Sequence, residues 1–338
     1  MEILSPAGSP EAVRAAVCAG ANAVYLGYGS FNARRNAKNF TEEELAAAVS
    51  YCHLRGVKLY LTLNTLANDR ELPEAAALAT HASQIGIDAV LVQDLGIVRM
   101  LRQVVPDLPV HASTQMSVHN LDGVKAAADQ GITRAVLARE LSGKDIAYIC
   151  EHSPIEIETF VHGALCMCHS GQCYMSSIIG GRSGNRGLCA QPCRLAYGWN
   201  GKADEYPLSL KDASLAHHLQ ELNEMGVACA KIEGRMKAPE YVNAVTRVWR
   251  KLLDERRAAT AEEMAYLAEI FSRVGFTDRY FTRSDRRTPD WTGRGMLGVR
   301  SDDDKQNTRA LPKWTAGTTV SRKLPAALQA EIRRDLPA

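Results

Sequence analysis

The chain has 338 residues, 46% of them hydrophobic, enough to bury the core of one large domain with an appendage. Forty Lys and Arg against 38 Asp and Glu leave a formal charge of +2, a balance that neither demands nor excludes a polyanionic partner. No apolar run approaches a membrane span, and Met1 to Pro6 lacks the basic and apolar stretches of a signal peptide, so the expectation is a cytoplasmic protein without membrane contact.

In chain order, strands are predicted at 2–5, 22–26, 57–63, 87–92, 109–112, 133–137, 155–161 and 227–232. One phrase recurs before them: Gly20, Gly56, Gly86, Gly131 and Gly226 each precede a β-rich run. Glycine accepts the left-handed conformation that ends a helix, so each phrase reads as helix end, tight turn, buried strand. Amphipathic helices fill the gaps, for example 41–55, opened by a Thr41 cap with Glu44 three residues on. Repeated βα units give a parallel sheet, and eight of them predict a closed TIM-like (β/α)8 barrel. An open dinucleotide-binding sheet is disfavoured because the first turn, Ser5 to Pro10, has no G-x-G-x-x-G pattern.

The barrel is assigned to 1–258, including a Cys-rich, metal-binding insertion at 162–207 between the seventh and eighth strands. A last barrel helix is expected over 240–257 and a further one at about 260–272, within a short helical and irregular C-terminal extension at 259–300. A polar, loosely ordered tail is expected at 301–338.

Active sites of such barrels form at the C-terminal ends of the strands. Here those ends are polar: Asn64, Gln93, Asp94, His111, Ser113, Gln115, Arg139, Glu140, His162, Glu233 and Arg235. His162, Glu140 and Glu233 are candidates to move protons, Arg139 and Arg235 to hold carboxylates by bidentate pairing, and Gln115 to bind substrate.

Nine cysteines is an odd number, and five fall between Cys166 and Cys193, which favours metal ligation over disulfides. Six residues separate Cys166 from Cys173, fifteen separate Cys173 from Cys189, and three separate Cys189 from Cys193. Thiolates select zinc or iron–sulfur clusters, and spacing alone leaves both open. Cys168 is a spare fifth thiol, while Cys18, Cys52, Cys150 and Cys229 read as core residues. Between the cysteine pairs, the glycine-rich segment 180–187 carries Arg182 and Arg186. With Arg194 and Lys211 these arginines could form a basic rim for RNA, or the segment could be a flexible wrap around the metal. Arg34 and Arg35, in a basic loop led by Phe31, suit RNA or another anionic substrate.

From Glu158 and Phe160 through Gly163, Cys166, Gly171, Cys173, Met175 and Ser176, the chain resembles the signature of peptidase family U32, the collagenase-like proteases. Segments 4–8, 32–34, 111–115, 209–212 and 231–237 extend the resemblance over about nine-tenths of the chain. For many relatives it implies not proteolysis but oxygen-independent hydroxylation of rRNA cytidine, tRNA uridine or a ubiquinone precursor. The implied cofactor is a [4Fe–4S] cluster on Cys166, Cys173, Cys189 and Cys193, with zinc as the alternative, and the RNA branches imply a prephenate-like acidic cosubstrate. Segments 32–35, 180–186 and 295–300 most resemble the rRNA cytidine type, whose chains continue into a further domain. This sequence departs near Arg300 and stops at Ala338.

Two other readings compete with RNA hydroxylation. A peptidase could use Ser113 or Cys168 with His111, His162 or His169, although neither H-E-x-x-H nor G-x-S-x-G occurs. Alternatively, the barrel is a cluster-stabilised scaffold whose partner protein supplies the C-terminal function.

Overall fold

The computed structural model describes residues 1–29, 31–33, 40–199 and 202–283, so Arg34, Arg35 and the tail expected at 301–338 lie outside the described residues. Seven strands, β1 (Glu2–Pro6), β2 (Ala23–Gly27), β3 (Lys58–Leu63), β4 (Ala89–Val92), β5 (Val110–Ala112), β6 (Arg134–Val136) and β7 (Glu156–Gly163), alternate with six helices. The helices are α1 (Pro10–Cys18), α2 (Glu42–His53), α3 (Leu72–Gln84), α4 (Leu95–Val104), α5 (Leu121–Asp129) and α6 (Gly143–His152). The insertion follows with α7 (Met175–Gly180), β8 (Tyr197–Trp199) and β9 (Lys202–Glu205), and it runs past its expected end at 207 through β10 (Asp212–Ser214). Then come α8 (Leu219–Glu224), β11 (Cys229–Ile232), α9 (Pro239–Asp254), α10 (Ala261–Ile270), β12 (Phe276–Thr277) and α11 (Arg279–Thr282).

Strands β1 to β7 pair in parallel in sequence order, β7 pairs with β11, and β11 returns to β1. The sheet is therefore closed as the eight-stranded barrel expected from the sequence. The five recurring glycines all have positive φ, between +68° and +88°, where a side chain would be strained. Thr41 and Glu44 form the reciprocal cap of α2. Outward-facing strand residues such as Ile3, Val24, Leu61 and Val90, met by Trp249 from α9, build the layer between strands and helices. Among the described residues no helix is long and apolar enough to cross a membrane.

The insertion and the extension meet on β7. Strand β10 runs antiparallel to the end of β7, pairing Ala213 with Gly163 and Ser214 with His162, and β12 pairs with β10. Buried Asp212 receives the backbone N–H of Arg273 at 2.9 Å and pairs with its guanidinium, tying the extension to the insertion.

Parallel barrels ordinarily fill their interior with branched apolar side chains. This one contains Leu4, Tyr25, Tyr60, Leu91 and Val136, but also an ion network. Glu158, fully buried, accepts from Lys231 Nζ at 2.7 Å and lies 3.5 Å from Arg134. Arg134 also reaches Glu2 at 2.8 Å and Glu156 at 2.7 Å. Cys229 belongs here: it is buried as expected among the apolar interior side chains, and it also feels the charges of Glu158, Glu2, Arg134 and Lys231. Cys52 is a core residue, Cys150 is half-buried, and Cys18 is exposed, against expectation.

Removing one member of a buried ion network strands its partners. A Glu158→Ala chain is expected to lose about 3–5 kcal/mol of unfolding free energy, measured by urea denaturation followed by circular dichroism; a loss of under about 1 kcal/mol would show that the interior tolerates unpaired Lys231.

Candidate metal centre and barrel mouth

Two cationic side chains, Arg139 and Arg235, meet at the C-terminal end of the barrel above a third, Lys231. Lys231, held by Glu158, lies 4.5 Å from the Tyr25 ring centroid and 5.3 Å from that of Phe160. Arg139, in the loop after β6, stacks on Phe160 at 3.9 Å and donates from Nη2 to Glu233 Oε2 at 3.1 Å. Arg235, after β11, donates from Nη1 to Thr62 Oγ1 at 2.7 Å and sits 5.8 Å from the Tyr25 ring. In the surrounding strand-end loops, Thr65 Oγ1, Gln93 Oε1, Gln115 Oε1 and Arg139 Nε are buried without a hydrogen-bond partner among the described residues. Buried polar atoms of this kind are ordinarily satisfied by a ligand or by water; the amide oxygens call for donors and the cations for negative charge, so the mouth is chemically suited to an anionic molecule that also carries hydroxyl or N–H groups.

The structure separates the three proton-transfer candidates. Glu233 sits in the mouth beside Arg139. Glu140 instead accepts from the backbone N–H and the hydroxyl of Ser170, fastening the cysteine loop. His162 leaves the mouth altogether. Positions 156, 158 and 160 of β7 face inward, but the pairing with β11 skips Val161, so His162 pairs with Ile232 and turns into the helical layer. There it meets Phe276 at 5.1 Å and Trp249 at 6.1 Å, and burial pushes its pKa down to about 4. Ser113 accepts from Asn64 Nδ2 at 3.2 Å and from Gln115 N at 3.3 Å. His111 stands edge-on to Tyr60, its pKa lowered by burial and by Arg134 and Lys231.

The cysteine insertion is bolted onto this end of the barrel. Ser170 Oγ accepts from the Arg139 backbone N–H at 3.2 Å, and Gln172 donates to Ser117 at 2.9 Å. Gly171, at φ +81°, lies so close to Gln115 that a Cβ would come within 2.2 Å of the Gln115 carbonyl oxygen. Arg194 is buried rather than part of an open RNA rim. It donates to the carbonyls of Leu165 and Leu210, and burial lowers its pKa. Arg186 pairs with Glu71 through both terminal nitrogens and also reaches the Leu66 carbonyl, so it anchors the glycine-rich segment to the loop after β3. Arg182 is exposed and donates to the Leu188 carbonyl at 3.0 Å, and Lys211 is half-buried beside β10.

Cys166, Cys173, Cys189 and Cys193 share one neighbourhood. Burial pushes the Cys193 thiol up; Arg194 opposes this, while the charges of Cys166, Cys189 and Cys173 reinforce it. Among the described residues, however, no three His, Cys, Asp or Glu are gathered tightly enough to hold a metal ion as they stand. Coulomb coupling reaches well beyond a metal–sulfur bond of about 2.3 Å, so the two observations together describe an open four-thiol set. Its donor chemistry fits a thiophilic group. Donors already point at two sulfurs: Arg139 Nη1 is 3.9 Å from Cys166 Sγ, while Gln191 N and Ser176 Oγ are 3.3 and 3.8 Å from Cys189 Sγ. Cys168 adjoins Cys166 and Cys173, and its thiol is raised by burial.

The family model of peptidase family U32 matches residues 8–290. A 23S rRNA 5-hydroxycytidine synthase of Escherichia coli (strain K12) is 40% identical over 294 residues, covering 85% of this chain and 44% of that protein. A tRNA hydroxylation protein of Bacillus subtilis (strain 168) is 38% identical over 265 residues, covering 75% of this chain and 63% of that protein. A collagenase of Porphyromonas gingivalis is 34% identical over 324 residues, covering 88% of this chain and 77% of that protein. The chain thus spans less than two thirds of the length of the first two relatives.

The Gly171 contact generates one expectation. Gly171→Ala adds about 1–3 kcal/mol of backbone strain as well as the clash, so alkylation of Cys166 and Cys173 in metal-free protein should accelerate. Mass spectrometry reads the rates, and unchanged rates would mean that the loop does not depend on this contact. A second expectation concerns Lys237, whose ammonium lies 2.9 Å from the Phe271 ring centroid. Burial, aided by Arg273, pushes its pKa down to about 7 from 10.5. Between these values the unfolded chain binds the extra proton, so this residue makes stability rise with pH from about 7 to about 10.5. Urea titrations across that range should show a shallower rise for Lys237→Met than for the wild type.

Proposed function

The chain belongs to peptidase family U32, and from that membership we propose an iron–sulfur enzyme that hydroxylates an RNA pyrimidine, rRNA cytidine or tRNA uridine. The proposed reaction needs no molecular oxygen and draws on an acidic, prephenate-like cosubstrate. The observation that carries this reading is the juxtaposition of a cationic barrel mouth and four thiols, with Arg139 touching both. Two relatives named for rRNA and tRNA hydroxylation support the substrate class.

Cys166, Cys173, Cys189 and Cys193 would hold a [4Fe–4S] cluster, which when bound supplies one-electron chemistry. The remaining roles fall to side chains of the mouth. Arg235 and Arg139 are placed to take the carboxylates of an acidic cosubstrate, with Lys231 deeper in the barrel adding positive potential. The faces of Phe160 and Tyr25 offer planar apolar walls against which a ring can lie. Glu233, oriented by Arg139, is the carboxylate in the mouth placed to take up or return a proton. A base inside a folded RNA would have to leave its stack to reach this depth, and exposed Arg182 is placed to meet phosphate outside.

The collagenase relative favours peptide cleavage as a second reading. Against it, the Ser113 hydroxyl is engaged by Asn64 and Gln115, and His162 faces the aromatic layer.

The test combines two measurements. Protein purified without oxygen is expected to hold about four irons and four sulfides per chain, lost in Cys166→Ala and Cys189→Ala. In a host lacking its own RNA hydroxylases of this family, the chain should restore a hydroxylated pyrimidine, detected by nucleoside mass spectrometry, and the cysteine variants should not. Stoichiometric zinc without sulfide, or peptide cleavage with unmodified RNA, would overturn the reading. Restoration only when a second protein supplies a C-terminal domain would return the scaffold alternative.

A further inference from the structure

We propose that Arg139 sets the reduction potential of the four-cysteine centre, with Glu233 as its counterweight. This inference rests on the iron–sulfur reading above and adds to it a charge-setting residue. Arg139 is a cation at a ligand sulfur: Nη1 lies 3.9 Å from Cys166 Sγ, and Nη2 lies 3.1 Å from Glu233 Oε2. Its position is constrained on further sides. The guanidinium stacks on Phe160 at 3.9 Å, and the Arg139 backbone N–H is held by Ser170 from the cysteine loop itself. Its side chain is 10% exposed and that of Glu233 14%, so water screens neither charge well.

One-electron reduction adds a negative charge to the centre. A nearby fixed cation stabilises the reduced form and raises the potential, and a nearby carboxylate lowers it. Arg139 and Glu233 are joined in one ion pair, so neutralising either one shifts the potential in opposite directions. A purely structural ion pair would not produce that signature, because breaking it from either side removes the same contact.

The experiment uses anaerobically prepared holoprotein. Iron and sulfide are measured first, and the midpoint potential is then obtained by a redox titration followed by visible absorption and electron paramagnetic resonance. Arg139→Gln is expected to change the reduced-to-oxidised ratio at fixed potential about tenfold towards the oxidised form, about 59 mV for a one-electron couple. Glu233→Gln is expected to move it the other way, and Arg139→Lys, which keeps the charge, to stay closer to wild type than Arg139→Gln. Unmoved potentials, or shifts of the same sign, in variants with full iron and sulfide overturn the proposal alone. If Arg139→Gln does not retain the cluster, Glu233→Gln decides: an upward shift supports the proposal and none overturns it. Wild-type protein without iron and sulfide overturns the cluster reading and this inference with it.

Discussion

Glu158 carries a carboxylate that water does not reach, and the barrel interior is arranged around satisfying it. Lys231 and Arg134 approach it from the two strands flanking β7, and Arg134 extends the network to Glu2 on β1. A charge buried this deeply is tolerated only when it is paired. Slipping β6, β7 or β11 by one residue would point its charged positions into the apolar layer outside, so the network constrains register as well as composition. Lys231 Nζ lies over the Tyr25 and Phe160 rings, which Arg235 and Arg139 also approach, so these two rings link the buried network to the cationic end of the barrel.

The same strand, β7, leads directly into the cysteine insertion, and the insertion is held against the barrel by contacts of very different kinds. Glu140 grips Ser170, Gly171 packs on the Gln115 backbone, Arg194 draws in two carbonyls, and Arg186 clasps Glu71. Three residues read from the sequence as chemical candidates thus hold the insertion in place. Their role follows from the needs of a long, glycine-rich loop that leaves apolar side chains such as Tyr174, Ile178 and Ile179 exposed. Such a segment buries little of its hydrophobic surface and is held by hydrogen bonds and ion pairs to its surroundings.

The fold was legible because its signals are local. The recurrent glycines lie in the left-handed conformation, Thr41 and Glu44 cap α2, and the eight expected strands agree with the observed ones to within a residue or two. That the cysteines fall in one segment after β7 was equally legible, but how close the pairs come was not, since the fifteen residues between Cys173 and Cys189 can span about 50 Å when extended. The interior ion network was less so, although charged residues in the middle of parallel strands, such as Arg134, Glu158 and Lys231, are an unusual pattern that could have drawn attention to it.

The sequence by itself determined the eight βα units, because helix periodicity, capping and strand composition act within a few residues. Only the tertiary structure decided which strand-end side chains enter the mouth. Strict alternation along β7 would have put His162 inside with Glu158 and Phe160, yet one skipped residue in its pairing with β11 turns it outward. Arg139, Glu233 and Cys166 are far apart in the chain and meet only once β6, β7 and β11 are neighbours. The direction of a side chain at a strand end depends on register and on the charges of distant partners, which no local pattern encodes.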